Sequence, residues 1–322
     1  MKTALCLTPD LAFFRQAWFT AATILQQEDS SAFDLFIVCE ERDIAPGVER
    51  LDAALCGEVT MLTTEFSHFD RGAEGRGAFS RAVYRRLFLD RILPSSYERI
   101  VALDADMLVR RPGLGRLASL DLRGAPLAAA LDMIFLMDFR GGALAQKFQT
   151  HRRALGLAPD TPYFNAGLMA IDRARWSEGD FGERAMRALL TYPARYPYME
   201  QSALNELIAG RFAPLSPRFN FMGDFFLLDL EARIDPIVLH FVNRPKPWEQ
   251  RDWRGDARFA TAYRDWFAAS PWPDFLAPAP RPHRARERRS TQARSGFADR
   301  LMVYLDACAF VDGGLPGAPS NI

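Results

Sequence analysis

Residues 98–109, ERIVALDADMLV, hold the most chemically suggestive pair in the chain: an apolar run ends in Asp104, and Asp106 follows after one residue. Open α/β sheets bind their ligands beyond the carboxyl ends of strands. Two carboxylates at that point make a hard, anionic oxygen site suited to Mg²⁺ or Mn²⁺. A bound dication would keep both ionised, because its charge outweighs the desolvation of the acids. Asp-x-Asp also serves to cap the turn after a strand, so the pair alone leaves both readings open.

These carboxylates need a scaffold, and the surrounding periodicity supplies one. Thr3–Thr8 is an apolar run stopped by Pro9-Asp10, which reads as a buried strand. Leu11–Gln27 sets Phe14, Trp18, Ala21 and Leu25 at helical spacing. Phe33–Cys39 and Val59–Leu62 read as strands on either side of a short helix, Val48–Leu55. Phe79–Leu93 reads as one strong helix, with Ser80 near its start and Pro94 ending it. Arg99–Leu103 is the next strand. Such alternation predicts an α/β domain built on a mainly parallel central sheet flanked by helices. Further along, Pro126–Leu131, Tyr163–Ile171 and Pro236–Phe241 read as strands, and Gly141–Leu155, Phe181–Leu190 and Met199–Ala209 as helices. Phe259, Tyr263, Trp266 and Phe267 mark an amphipathic helix near the end of this region.

Composition excludes several classes. The 322 residues are 49% hydrophobic and 25% charged, the profile of a globular chain with a sizeable core. Forty Lys+Arg balance forty Asp+Glu, so no basic field exists to recruit nucleic acid. Three of the cations are lysines (Lys2, Lys147 and Lys246), which makes each worth placing. The four cysteines show neither CxxC nor zinc-like spacing, and a reducing compartment is the simpler expectation. The N-terminal apolar run is too short for a signal-peptide core. No stretch approaches the roughly 18 apolar residues of a membrane span. The expectation is a cytoplasmic protein whose membrane contact would be peripheral.

Several stretches, taken in order, resemble family 8 glycosyltransferases, retaining enzymes of the GT-A fold. YRRLFLDRILPSSYERIVALDADMLV is similar to the family's Tyr-x-Arg-Leu helix and Leu-Asp-x-Asp strand. YFNAGLMAID resembles its Phe-Asn-(Ser/Ala)-Gly strand, and EQSALNEL its Asp-Gln-x-x-Leu-Asn helix. LSPRFNFMG resembles the Arg-Phe/Trp-Asn strand ahead of the acceptor side, and HFVNRPKPW the His-(x)₂-Gly-(x)₂-Lys-Pro-Trp motif. The resemblance runs from roughly Thr3 to Trp248 and implies transfer of a sugar from a UDP-sugar with retained anomeric configuration.

By that resemblance Asp104, Asp106 and His240 would bind the metal, the imidazole tilting the choice toward Mn²⁺. His240 ends the strand PIVLH, so it is expected to face the same sheet edge as the two aspartates. Lys246 and the metal would neutralise charge on the departing UDP. Asp10 and Phe13 match the uracil site, Phe13 offering a stacking face without the hydroxyl of the family's usual Tyr. Thr8 and Ala105 fall beside these positions as donor contacts. Arg86 would bridge the donor and the Asp104 region, while Arg85, one residue earlier, points elsewhere. Asp132, Asn165 and Ala166 would contact the donor sugar and ribose, with Gly167 permitting close backbone approach.

Two departures stand out. Glu200-Gln201 replaces the usual Asp-Gln, and Asn243 replaces a Gly in the His-to-Lys loop. An amide is a poor nucleophile, so Gln201 on the reacting face favours departure and attack on the same face of the sugar. A glycosyl adduct on Glu200 is the less favoured route.

The expected organisation is a glycosyltransferase domain over 1–270, a Pro/Arg-rich linker over 271–296 and an amphipathic segment over 297–322 with a disordered end. Arg281, Arg284, Arg286, Arg288, Arg289 and Arg294 precede that segment, a pattern suited to anionic lipid. The rival reading is a solvated linker followed by a helix docked on the main domain. The resemblance implies transfer from UDP-galactose or UDP-glucose to a glycan, with lipopolysaccharide as the acceptor class. Two alternatives remain at this point. One is a phosphatase similar to the haloacid dehalogenases, with Asp104 as nucleophile, although that motif usually opens its domain and here three strand–helix units precede it. The other is a nucleotide-sugar-binding protein whose site has been degraded at Glu200 and Asn243.

Overall fold

The computed structural model describes residues 1–67, 80–249, 256–275 and 291–314. A seven-stranded sheet is built from β1 (Thr3–Leu7), β2 (Asp34–Cys39), β3 (Val59–Thr63), β4 (Arg99–Leu103), β6 (Leu127–Leu131), β7 (Phe164–Asp172) and β8 (Ala213–Leu215), in the order β3-β2-β1-β4-β7-β6-β8. The first four strands in that order run parallel. β1 and β4 are buried along their whole length, as expected of continuous apolar runs covered on both faces. β7 departs from the parallel pattern: it is antiparallel to both β4 and β6, and β8 then pairs parallel to β6. The sheet is therefore mainly parallel with one reversed strand beside β4.

A second sheet of three short strands, β5 (Met107–Val109), β10 (Val238–His240) and β9 (Phe221–Met222), lies in the order β5-β10-β9. His240 thus ends a strand, as expected, but one of this small sheet. Its strand is not on the central sheet. It is shorter than Pro236–Phe241 and pairs antiparallel with β5, which puts His240 opposite Met107.

Phe79–Leu93 is corrected. Phe79 lies outside the described residues, and the rest is not one α-helix. Arg81–Phe88 forms a 3₁₀ helix and a single α-turn, Leu89–Ile92, follows. Ser80 starts it, its hydroxyl accepting from the Ala82 N–H. Arg85 and Arg86 are both buried here and bonded to different partners, and a tighter three-residue turn separates neighbouring side chains more widely than an α-helix does. Similarly, Val48–Leu55 is a 3₁₀ turn, Val48–Arg50, followed by a helix at Ala53–Glu58.

The described segment from residue 291 is packed against the rest of the chain. Helix Thr291–Ala307 buries Phe297, Leu301, Met302 and Leu305. Tyr304 lies on Phe139 with ring centroids 4.5 Å apart, and the Arg300 Nε–H donates to the Phe139 carbonyl. Asp312 accepts from the backbone N–H and hydroxyl of Ser216, just past β8. Arg281 to Arg289 lie outside the described residues, and of Arg294 only the backbone is described. No helix among the described residues is long and apolar enough to cross a membrane.

Candidate active site

The Asp pair sits in the turn that carries the chain from the large sheet to the small one. The Asp104 N–H donates to the Gly167 carbonyl on β7. From behind, the Thr20 hydroxyl of helix Phe14–Gln27 is within hydrogen-bond reach of the carbonyls of Ala105 and Met107, at 3.0 and 2.8 Å. Because β10 returns along β5, the Phe241 N–H donates to the Asp106 carbonyl and the imidazole of His240 meets both aspartates. His240 Nε2 lies 3.4 Å from Asp104 Oδ2 and 3.2 Å from Asp106 Oδ1.

The donor set fits a divalent cation. One ligand atom from each of Asp104, Asp106 and His240 can be chosen so that all lie within 4.8 Å of one another. Two carboxylates and an imidazole suit Mn²⁺ or Mg²⁺. The space between them is kept by a glycine: a Cβ on Gly167 would fall 2.3 Å from His240 Cε1 and 2.8 Å from Asp104 Oδ2.

Two further cations brace the acids. Arg86 bonds Asp104 Oδ1 and donates to the Ala166 carbonyl, while the Lys246 ammonium donates to Asp106 Oδ2 at 2.6 Å and to the Phe241 carbonyl. Burial works to raise the two aspartates, but Arg86 at Asp104 and Lys246 with His240 at Asp106 outweigh it, and both lie below the usual carboxylate range. Burial pulls His240 down, yet the paired carboxylates push it up to about 9. Glu200 behaves differently. Its burial dominates over Arg86, whose Nε is 3.7 Å away, and lifts the carboxyl to about 7. Burial likewise raises Asp132.

The structure brings every sequence-predicted site residue to one cleft of about 490 Å³. Thr8, Asp10 and Phe13 are at one end, past β1. Asp10 Oδ1 accepts from the Phe13 N–H, and the Phe13 ring meets Trp248 edge-on at 6.0 Å. At the other end, Asp132 starts the turn after β6, its Oδ1 accepting from the Ile134 N–H and its Oδ2 from Asn165 Nδ2. Gln201 is engaged at both ends of its amide: Oε1 accepts from the Ala166 N–H at 3.0 Å and Nε2 reaches Asp132 Oδ2 at 3.4 Å. Ala105 is buried in the turn between the two aspartates, and Asn243 is exposed at the cleft. Arg85 points away. It bonds Glu40, Asp43 and the Pro9 carbonyl.

Sequence reasoning missed Thr20 and Asn220 as parts of this site. Thr20 carried a signal, a polar residue on the inward face of an apolar helix. Asn220 was quoted inside LSPRFNFMG, but nothing local indicates that its amide faces His240. The apolar wall of the cleft, which includes Met133, Leu144 and Phe148, was also missed.

A family model described as Glycosyl transferase family 8 matches residues 30–252. The chain belongs to glycosyl transferase family 8. Among curated family relatives, the lipopolysaccharide 1,2-glucosyltransferase of Escherichia coli K12 is 24% identical over 208 residues, covering 61% of this chain and 56% of that protein. General stress protein A of Bacillus subtilis is 24% identical over 207 residues, covering 59% and 66%. The alignments thus span between a half and two thirds of these relatives' lengths. Among solved structures, the galactosyltransferase LgtC in complex with donor and acceptor sugar analogues superposes with a TM-score of 0.63 at 21% identity, covering 81% of this chain and 95% of that one. The bifunctional glycosyltransferase WbbM superposes with a TM-score of 0.66 at 20% identity, covering 85% and 50%. The fold is therefore the GT-A architecture of these enzymes. Family membership sets aside the phosphatase alternative.

Proposed function

We propose that this family 8 chain is a metal-dependent, retaining glycosyltransferase that moves a hexose from a UDP-sugar, UDP-galactose or UDP-glucose, to a glycan acceptor of the lipopolysaccharide type. The observation that carries the reading is the meeting of Asp104, Asp106 and His240 in a cleft that also presents Lys246, Arg86 and Asp132. Asp104, Asp106 and His240 would hold the cation, which when bound supplies Lewis-acid stabilisation of charge on the diphosphate. Lys246 uses two of its three protons on Asp106 and Phe241, which leaves one for a phosphate oxygen. Phe13 and Asp10 would receive the uracil, and Thr8 and Ala105 would flank the nucleotide. Asn243, exposed at the cleft, would meet the diphosphate. Asn165, Ala166 and Asp132 would hold ribose and sugar.

Gln201 is clamped by Ala166 and Asp132 and so serves to position the reacting face, not to attack it. Glu200 lies under Arg86, 6% exposed, which disfavours a nucleophilic role. Departure and attack on one face, with a phosphate oxygen taking the acceptor proton, fits these environments better. Any membrane contact belongs to the basic stretch 281–294, since Phe297, Leu301, Met302 and Leu305 of the following helix are buried against the domain and, among the described residues, Val303 is the one large apolar side chain that this helix turns outward. Flotation with anionic liposomes tests this: replacing those arginines by serine abolishes binding, and retained binding refutes it.

The deciding experiment measures UDP release across a panel of UDP-sugars with Mn²⁺, with Asp106→Ala as control. Turnover of one donor that needs the metal and Asp106 is expected. Tight UDP binding with no turnover of any donor would establish the degraded, non-catalytic alternative instead.

A further inference from the structure

A line of buried amides joins the metal ligand His240 to Asp132 on the sugar side, and its polarity can be read from one end. The Gly167 backbone N–H can only donate, and it donates to Asn165 Oδ1 at 2.8 Å. Asn165 Nδ2 is therefore the end that faces the Asp132 carboxylate, at 2.7 Å. Asn220 meets the same Asn165 Oδ1 at 2.9 Å, so it must do so through its own Nδ2. That leaves Asn220 Oδ1 against His240 Nδ1, at 2.9 Å. An amide oxygen has no proton to give, so Nδ1 carries one. Reversing either amide would set oxygen against oxygen or donor against donor. Asn220 is fully buried, and Asn165 and His240 are nearly so, which makes such a mismatch expensive.

We infer that Asn220 is a positioning residue for the metal centre: its amide oxygen holds the proton on His240 Nδ1 and so reserves the Nε2 lone pair for a cation shared with Asp104 and Asp106. The inference rests on the metal-dependent reading above. Imidazole ligands are commonly fixed by a partner on their second nitrogen, and loss of that partner typically costs 10- to 100-fold in metal affinity. Here the partner is oriented by a chain of amides that ends on Asp132, so the cation site and the sugar side share one hydrogen-bonded frame.

The test uses the full chain, Mn²⁺ titrated by electron paramagnetic resonance, and Co²⁺ as a probe for proton NMR. In the wild type, the Co²⁺-loaded protein is expected to show a hyperfine-shifted imidazole N–H resonance that exchanges slowly with water, the signature of Nε2 ligation with a buried Nδ1–H. Asn220→Leu, close in volume, is expected to bind Mn²⁺ about 10- to 100-fold more weakly and to lose that resonance. Asn220→Asp keeps an acceptor for Nδ1–H but turns its second oxygen against Asn165 Oδ1, so it is expected to keep the resonance while losing stability in urea melts. Unchanged Mn²⁺ affinity in Asn220→Leu would overturn the inference and leave the metal reading intact. Should that variant fail to fold, the wild-type spectrum decides: Co²⁺ bound without a protected N–H overturns it. A wild type that retains neither Mn²⁺ nor Co²⁺ would overturn both.

Discussion

Arg85 and Arg86 are neighbours on one 3₁₀ turn, both buried, and they anchor two ionic clusters with opposite characters. Arg85 joins Glu40, Asp43 and the Pro9 carbonyl, with the Phe66 ring 4.8 Å from its guanidinium. That cluster is closed: the two acids share Arg85, and Glu40 also accepts from Arg42. Arg86 joins Asp104, and through it the second aspartate, His240 and Lys246. That cluster opens into the cleft and aims three ligand atoms at one region. The closed cluster fixes the loop after β1. The open one holds charge in reserve for a ligand. Burial and ion pairing alone therefore do not mark a site, and convergence on accessible space does.

The sharpest break of this comparison comes from Asp106→Ala. It is expected to lower UDP-sugar turnover by about a thousandfold or more while the circular dichroism stays that of the wild type. Turnover within tenfold of wild type would refute the open cluster's role. Arg85→Met should show the reverse. Leaving the buried Asp43 without its cation, while Glu40 keeps Arg42, is expected to cost about 3 kcal/mol in urea unfolding, with kcat little changed at a temperature where the protein is folded. A stable Arg85→Met with lost turnover would erase the distinction.

Gly167→Ala sharpens the geometric part. The added Cβ must displace His240 or Asp104, so Mn²⁺ affinity in a paramagnetic resonance titration is expected to fall by about tenfold or more. Equal affinity would show that the close approach does not matter.

The last effect concerns Glu200 and touches stability alone. Its carboxyl is raised to about 7 in the folded state against an ordinary value near 4.5. The native state thus binds the proton more tightly, and the stability this gives is full below the ordinary value and lost as pH rises through about 7. Glu200→Gln should match the wild type near pH 4 and exceed it by about 3 kcal/mol at pH 8, measured by urea melts. A gain that is the same at both pH values would place the effect in packing instead of ionisation.

Much of the site was legible in the sequence because it consists of local events. β4 is an apolar run whose end is marked by the first acid, so Asp104 and Asp106 needed no tertiary information to be found. The β7 motif and Glu200-Gln201 were similarly visible as short stretches in order. The failures have a common cause. One helix over residues 79–93 was expected because apolar and charged residues recur at helical spacing there, yet two consecutive arginines are drawn inward to separate partners and tighten the turn. His240 meets the two aspartates as expected, but from a strand of the small sheet, because a strand's period does not say which strand it pairs with.

The sequence by itself determined which side chains were available and where each strand or helix delivers them, since those depend on patterns a few residues long. Only the tertiary structure decided that β10 returns along β5, that residues 104, 106 and 240 share one point, that Asn220 turns an oxygen and not a nitrogen toward the imidazole, and that the apolar face after residue 296 is covered by the domain. Each of these is set by pairings between segments far apart in the chain, where the energy lies in contacts that neither segment carries alone.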